Sequence, residues 1–396
     1  MKNKKSVKLT KSNKDTSTSS KNTTATWQQV SKNRNWIIYI TIFFVLTMIF
    51  AWWAVGTFLG SAMYINLSFF TDHNETSIST DTSAASTIEV ETYLISRSID
   101  GVIVDEDDQK LVPYAVMIEN LLSVRPQSGL SQASVVYESL VEGGATRFVA
   151  IFDPYEVIPE IMPVRSARPY YLEWSSEYEA LYAHAGGSPQ ALTIIGENKD
   201  LIDLEALGRG NKYFWRDTSK YAPHNLVTSS EKMNFALRDL ELADTETSYQ
   251  SWKYKEDSVL EDRGEDGKTL SFNFSYGTTY LVDMQYNQDE NLYYRSNANQ
   301  PHLDSNTGEQ IKIKNVIVQI VPEPVLNGGK GRLEIQVGGP GPAWILRDGE
   351  IIEGTWKKES RTDRTYFYYI DGNELEFNRG NTWVHILPET QEVLYE

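Results

Sequence analysis

The 396-residue chain contains no cysteine. That absence excludes disulfides, a thiolate nucleophile, a Cys-ligated zinc site and a lipid anchor on a cysteine side chain. Charge is missing from a second place, because residues 35–71 carry no charged side chain. Lysine is missing from a third. Residues 111–198 hold only four basic side chains, Arg125, Arg147, Arg165 and Arg168. The charge that is present divides unevenly: the formal net of -17 combines +8 in the first 35 residues with -25 in the remainder. An acidic main body argues against nucleic acid as a partner, since neutralising phosphates needs clustered Lys and Arg. A hydrophobic fraction of 40% with 12% aromatics is ample for real cores, so most of the chain should fold.

The uncharged stretch includes residues 36–59, WIIYITIFFVLTMIFAWWAVGTFL. It is longer than the ~20 apolar residues needed to cross a bilayer and shows no polar face. Trp36, Trp52 and Trp53 suit membrane interfaces, and the basic arm before the run places residues 1–35 in the cytoplasm and the body outside. Gly60-Ser61-Ala62 offers the small residues of a signal-peptide cleavage site, but the run exceeds the roughly 7 to 15 residues of a signal core. The expectation is one uncleaved transmembrane helix, a basic disordered cytoplasmic arm over 1–35, and a Ser/Thr-rich tether over 60–105.

Residues 106–245 alternate short apolar runs with helical patterns, as in an α/β domain. Strands are expected at 114–118, 148–152, 161–164 and 180–183. Pro169 suits a helix start, with Tyr171, Trp174 and Tyr178 at helical spacing. Ser188-Pro189 reads as an N-cap and first turn, and Thr228-Ser-Ser-Glu231 as a capping box for a helix burying Met233, Phe235, Leu237 and Leu240. An acidic linker is expected at 246–269. Beyond it, residues 270–396 read as short strands joined by turns such as Asp348-Gly349 and Asp371-Gly372. The predicted fold is thus an α/β N-terminal extracytoplasmic domain followed by a mostly antiparallel β C-terminal domain, on a single N-terminal transmembrane helix.

The four arginines sit in motif-like turns: Arg125 in RPQSG, Arg147 in ATR, Arg165 and Arg168 in PVRSARP. Arginine suits planar, bidentate contacts to phosphate or carboxylate. PVRSARP lies between a predicted strand and a predicted helix, where open α/β sheets bind ligands. The plain alternative is structural pairing with Glu119, Glu138, Glu142 and Asp153. His184-Ala-Gly186-Gly187-Ser188 is a strand end, a glycine turn and a helix start, whose amides could face an anion beside His184. It lacks the GK[ST] of a Walker A loop. His224 in APHN and Trp215-Arg216 in YFWRD are further candidates, and Tyr213 and Trp215 could line a sugar-sized groove. His302 and His385 have no companions in sequence. Neither a GxSxG elbow nor an HExxH pair occurs, so no cofactor or metal is expected from motifs.

VPYAVMIEN, RPQSGLSQASVVYESLVEGGATRFVAIF, MPVRSARPYY, ALYAHAGGSPQAL and PHNL, followed by NVIVQ, GTWKK and GNTWVHILP, resemble the YerB-like lipoprotein family. That family pairs N- and C-terminal domains of unknown function outside the cytoplasm, so the resemblance, spanning residues 111–388, implies architecture and location. The chain departs from the lipoprotein pattern in having no cysteine to lipidate. The order TRFVAIFDPYEVIPEIMPVRSARPYYL then ALYAHAGGSPQALTII is also similar to LytR-CpsA-Psr enzymes, which attach lipid-linked glycopolymers to the cell wall. That similarity implies that Arg147, Arg165 and Arg168 bind a lipid pyrophosphate, with a divalent metal, near His184. Phe148 stands where those enzymes carry an acid after the first arginine.

Two functions follow as expectations. One is a non-catalytic envelope protein whose α/β domain binds an anionic ligand, with a cell-wall polymer, a phosphorylated lipid or an envelope protein as partner. The alternative is the phosphotransferase that the second similarity implies.

Overall fold

Three runs, YAVMIE, VVYESL and TRFVAIF, lack the polar alternation of a half-solvated strand, and the structure buries every residue of them. They are β1 (Tyr114–Glu119), β2 (Val135–Leu140) and β3 (Thr146–Phe152) in a computed structural model that describes residues 94–105 and 111–396. The arm over 1–35, the apolar run over 36–59 and most of the tether lie outside the described residues. Among those described, no helix is long and apolar enough to cross a membrane.

Seven further strands complete a ten-stranded sheet: β4 (Leu181–His184), β5 (Ile202–Glu205), β6 (Asn315–Val321), β7 (Gly339–Arg347), β8 (Glu350–Lys358), β9 (Tyr366–Tyr369) and β10 (Thr382–Pro388). Their order is β9-β8-β7-β6-β10-β2-β3-β1-β4-β5. The sheet is therefore continuous across both halves of the chain. The join is β10, which pairs in parallel with β6 on one side and with β2 on the other. Antiparallel pairing fills β6 through β9 and β2-β3-β1, while β1-β4 and β4-β5 are parallel. The Asp348-Gly349 turn joins β7 to β8 with both residues at positive φ, 53° and 75°, as the two-residue hairpin requires.

A second, six-stranded antiparallel sheet is built on Thr269–Asn273, Leu281–Asn287 and Leu292–Asn297, with Val393–Tyr395 at its edge. It packs on the join, where the Phe272 ring lies 4.9 Å from that of His385. The described residues hold three α-helices: α1 (Pro169–Ser176), α2 (Pro189–Glu197) and α3 (Ser230–Asp239). Helix α1 packs on β2 and β3. Trp174 stacks on Tyr137 at 5.5 Å, and the Tyr171 hydroxyl reaches the Ser139 and Arg147 carbonyls. The described residues are mostly β-sheet with few helices.

Several expectations need correction. Residues 161–164 form no strand, only bridges to Thr228, Ser128 and Ile118, because Pro163 has no N–H to give a ladder. Strands β2 and β5 were not anticipated. Helix α3 is capped by Ser229, whose hydroxyl accepts from the Lys232 amide at 3.3 Å, one residue later than the capping box implied. It buries Met233, Ala236 and Leu237, leaving Phe235 and Leu240 exposed. Residues 246–269 do not run as a bare linker: Lys253–Lys255 pairs in parallel with Glu376–Asn378, and Trp252 is buried with its Nε1–H on the Thr365 carbonyl. At the end of the expected tether, Leu94–Ser96 and Ile103–Asp105 form a hairpin anchored through Asp100, which accepts from the Ser134 hydroxyl at 2.7 Å. In the C-terminal half, β6 and β10 run parallel, so antiparallel pairing is not uniform there.

Candidate functional site

The ends of β1 and β4 lie side by side, and the segment 163–167 crosses them. Its backbone bonds to β1 through Arg165 N–H to Met117 and Glu119 N–H to Pro163. On the other flank the Ala185 amide donates to the Arg165 carbonyl and Ala167 to the Gly186 carbonyl. A tightly held turn therefore carries Arg165 and Arg168 over the carboxyl ends of two parallel strands, the place where open sheets bind ligands. Arg147 enters from β3, opposite Glu119 in register.

Three of the four sequence-singled arginines gather here. Arg168 forks onto Glu142, Nε to Oε1 at 2.7 Å and Nη2 to Oε2 at 2.8 Å, and donates to the Ala167 carbonyl. Burial would raise the Glu142 carboxyl, but the bond from Arg168 holds it below its usual value. Arg165 Nε lies 3.0 Å from Glu119 Oε1, off the direction of a hydrogen bond, and Nη1 reaches the Pro223 carbonyl at 3.4 Å. Arg147 differs from both. It is 8% exposed, its Nη1 donates to the Ser166 carbonyl at 3.0 Å, and among the described residues no carboxylate is in contact with it, Glu142 acting only at longer range. Burial and then the charge of Arg168 push its guanidinium below the usual range, with Arg165 adding to the effect.

Glu119, which the sequence offered only as a structural partner, is the hub. It is 2% exposed and holds Arg165 through Oε1 and His224 through Oε2, which accepts from Nδ1 at 2.7 Å. The β1 end thereby ties together residues 105 positions apart.

Other candidates are placed differently. The amides of Gly186 and Ser188 form no anion cradle, since the first donates to Glu205 Oε1 at 2.9 Å and the second to the Ala167 carbonyl. Gly186 keeps its glycine because φ is 65°, Gly187 packs against Leu192, and the Ser188 hydroxyl caps α2 by accepting from Ala191. His184 is fully buried, with Nδ1 on the Gly186 carbonyl and Nε2 on Asp203, both at 2.7 Å. Both ring nitrogens are therefore engaged inside the fold. It is a structural histidine and not the mouth of a site. Trp215 and Arg216 stand on a two-residue strand paired with Leu226–Val227, and Arg216 bonds to Asn225. Tyr213 is buried with its hydroxyl on Asp239, so the expected sugar groove is absent there.

Arg125 belongs to another environment. It bonds to Asn120 and to the Thr279 carbonyl and lies over the Tyr280 ring, and burial followed by the charge of Arg295 lowers it to about 10. Behind it lies a network that sequence reasoning missed. Glu138 accepts from Arg295 Nη2 at 2.8 Å, from His385 Nδ1 at 3.1 Å, and from Asn120 and Thr146. Arg295 also donates to His302 Nδ1, whose Nε2–H reaches Gln127 Oε1 at 2.9 Å. Burial would raise Glu138, but Arg295 holds it at about 2, while burial lowers both His302 and His385. His302 and His385 therefore do have companions, brought from the opposite half of the chain.

Two clefts flank the arginine cluster. One of about 500 Å³ lies between the starts of α1 and α2 and residues 327–338, lined by Arg168, Tyr170, Glu173, Gln190, Arg332 and Glu334. The other, about 440 Å³, opens beside His224. Among the described residues no group of three or more His, Asp and Glu is placed to hold a metal ion.

Comparison with known proteins agrees with this architecture. Residues 100–243 match the N-terminal domain, and residues 269–384 the C-terminal domain, of a protein family of unknown function, DUF3048. The chain is 29% identical over 286 residues to the Bacillus subtilis protein named "Putative lipoprotein YerB", covering 70% of this chain and 81% of that protein. The crystal structure of YerB from Bacillus subtilis superposes with a TM-score of 0.67 at 25% identity, over 76% of this chain and 99% of that one. Both domain matches, the relative and the shared fold place the chain in the YerB-like family.

Proposed function

We propose that this protein is a non-catalytic binding protein of the bacterial cell envelope, held at the membrane with its body outside the cytoplasm, and that the arginine-rich end of β1, β3 and β4 seats an anionic ligand. The location is supported by the lipoprotein name of its Bacillus relative and by the apolar run over 36–59 that follows a basic arm. The ligand class rests on Arg147. A buried guanidinium with one carbonyl partner, two like charges nearby and a carboxylate, Glu142, only at longer range and already forked by Arg168 is poorly compensated, and a bound anion would supply the missing charge. Arg165 and Arg168 each have a carboxylate, so they shape the site more than they charge it.

Calorimetric titration of the detergent-solubilised full chain with inorganic phosphate and with pyrophosphate tests the reading. Saturable binding that Arg147→Gln weakens at least ~10-fold is expected, because hydrogen bonds to charged groups contribute about 1.5–3 kcal/mol. Absence of binding by the unaltered protein, or equal binding by the variant, would overturn it.

A further inference from the structure

The cleft beside His224 differs from the rest of this acidic molecule in its lining. It is walled by Arg125, Lys220, His224, Tyr221 and three serines, with no Asp or Glu among the lining residues. The cleft near Arg168, by contrast, includes Glu173 and Glu334. Its volume of about 440 Å³ falls in the range of small-molecule sites.

The donors are arranged for an oxyanion. His224 gives Nδ1–H to Glu119, which fixes the ring and leaves Nε2, with no partner among the described residues, as an acceptor for a ligand hydroxyl on a side chain 34% exposed. Among the described residues Lys220 Nζ meets the Met162 sulfur at 3.4 Å and, beyond hydrogen-bond distance at 3.9 Å, Asp217 Oδ2, whose other oxygen takes the amide and hydroxyl of Ser219. Among the described residues the Ser123 and Ser305 side chains make no hydrogen bond, whereas the Ser219 hydroxyl is spent on Asp217. Arg125 contributes its charge from the wall, its Nε, Nη1 and Nη2 being committed to Asn120 and Thr279. At the rim stands Tyr221, 90% exposed, an aromatic face with nothing packed on it. Cations and free hydroxyls beside a bare aromatic ring suit a ligand with a phosphate at one end and a sugar ring at the other.

The geometry points to a phosphorylated sugar as the ligand of this cleft, with the phosphate on Lys220, Ser123 and Ser305, a sugar hydroxyl on His224 Nε2 and the sugar ring on Tyr221. This goes beyond the anion-binding reading, since the cleft is a second site that Arg147 does not line.

The test is titration of the full chain with glucose 1-phosphate, inorganic phosphate and glucose as separate probes. Lys220→Gln should weaken glucose 1-phosphate at least ~10-fold and remove one of the two inorganic-phosphate binding events, leaving the one assigned to Arg147. Tyr221→Ala should weaken glucose 1-phosphate several-fold and leave inorganic phosphate unchanged, and neither exposed position threatens the fold. Two results overturn the inference: no binding of glucose 1-phosphate by the unaltered protein, or binding that Lys220→Gln leaves intact. If Arg147→Gln removes phosphate binding while Lys220→Gln does not, the anion site stands and the cleft assignment falls. The reverse outcome supports the cleft and removes the role given to Arg147.

Discussion

His385 on β10 and Glu138 on β2 face each other in register across a parallel pair, and Nδ1 of His385 donates to Glu138 Oε2 at 3.1 Å although 247 residues separate them. The two halves of the chain thus share a sheet and a charge network. Glu138, Arg295, His302 and His385 are all buried where the second sheet covers that seam.

Removing the carboxylate strands Arg295 in that seam. Glu138→Ala should lower unfolding stability by about 3–5 kcal/mol, the typical result of breaking a buried ion pair from one side. Urea unfolding measures it. A loss under about 1 kcal/mol would mean that Arg295 finds another partner or reaches water.

The halves should not fold apart. A chain ending at residue 245 lacks β10 and leaves β2 as an uncovered apolar edge, which invites aggregation. Expressed alone it should be insoluble, and coexpression with residues 246–396 should restore soluble material. A soluble, cooperatively unfolding N-terminal half would contradict the shared sheet.

Much of this architecture was legible locally and little of it globally. Ser188-Pro189 and Pro169 announced their helices because caps and first turns are set by neighbours in sequence, and Asp348-Gly349 announced its hairpin for the same reason. The pairing of β10 with β2 had no local signature. VVYESL hid a central strand because Glu138 interrupts the apolar run, and the charge that makes that glutamate tolerable comes from Arg295, far along the chain, with His385 beside it. The arginine motifs stood out by composition, but no spacing revealed that Glu119 would gather Arg165 and His224 or that Glu205 would take the Gly186 amide.

Acid should loosen the seam in stages. His302 and His385 lie below their ordinary 6.5 when folded, so their contribution is complete above that value and is lost as pH falls beneath it. Glu138, held at about 2 against 4.5, adds a second loss that begins near 4.5 and deepens toward 2. Asp153, raised by burial to about 6 from 3.8, acts in the opposite direction over the interval between those values. Denaturant unfolding from pH 8 to 3 should therefore show a plateau above ~6.5, a shallow decline below it and a steeper one below ~4.5. A stability that rises from 6.5 to 4.5 would contradict the two-histidine assignment.

Gly186→Ala separates backbone from ligand. With φ at 65°, alanine should lower stability by about 1–2 kcal/mol. Because the Gly186 amide is already committed to Glu205, phosphate affinity should not change. A parallel loss of affinity would reinstate the glycine turn as part of the site.

The central claim is that Arg147 is buried, poorly compensated and the seat of a bound anion. Its most direct test is the guanidinium Nε–H resonance of Arg147, assigned through Arg147→Gln and followed by NMR as inorganic phosphate is added. The account predicts a saturable shift of that resonance. A resonance that stays fixed while phosphate saturates the protein, or a protein that phosphate leaves wholly unperturbed, would contradict it.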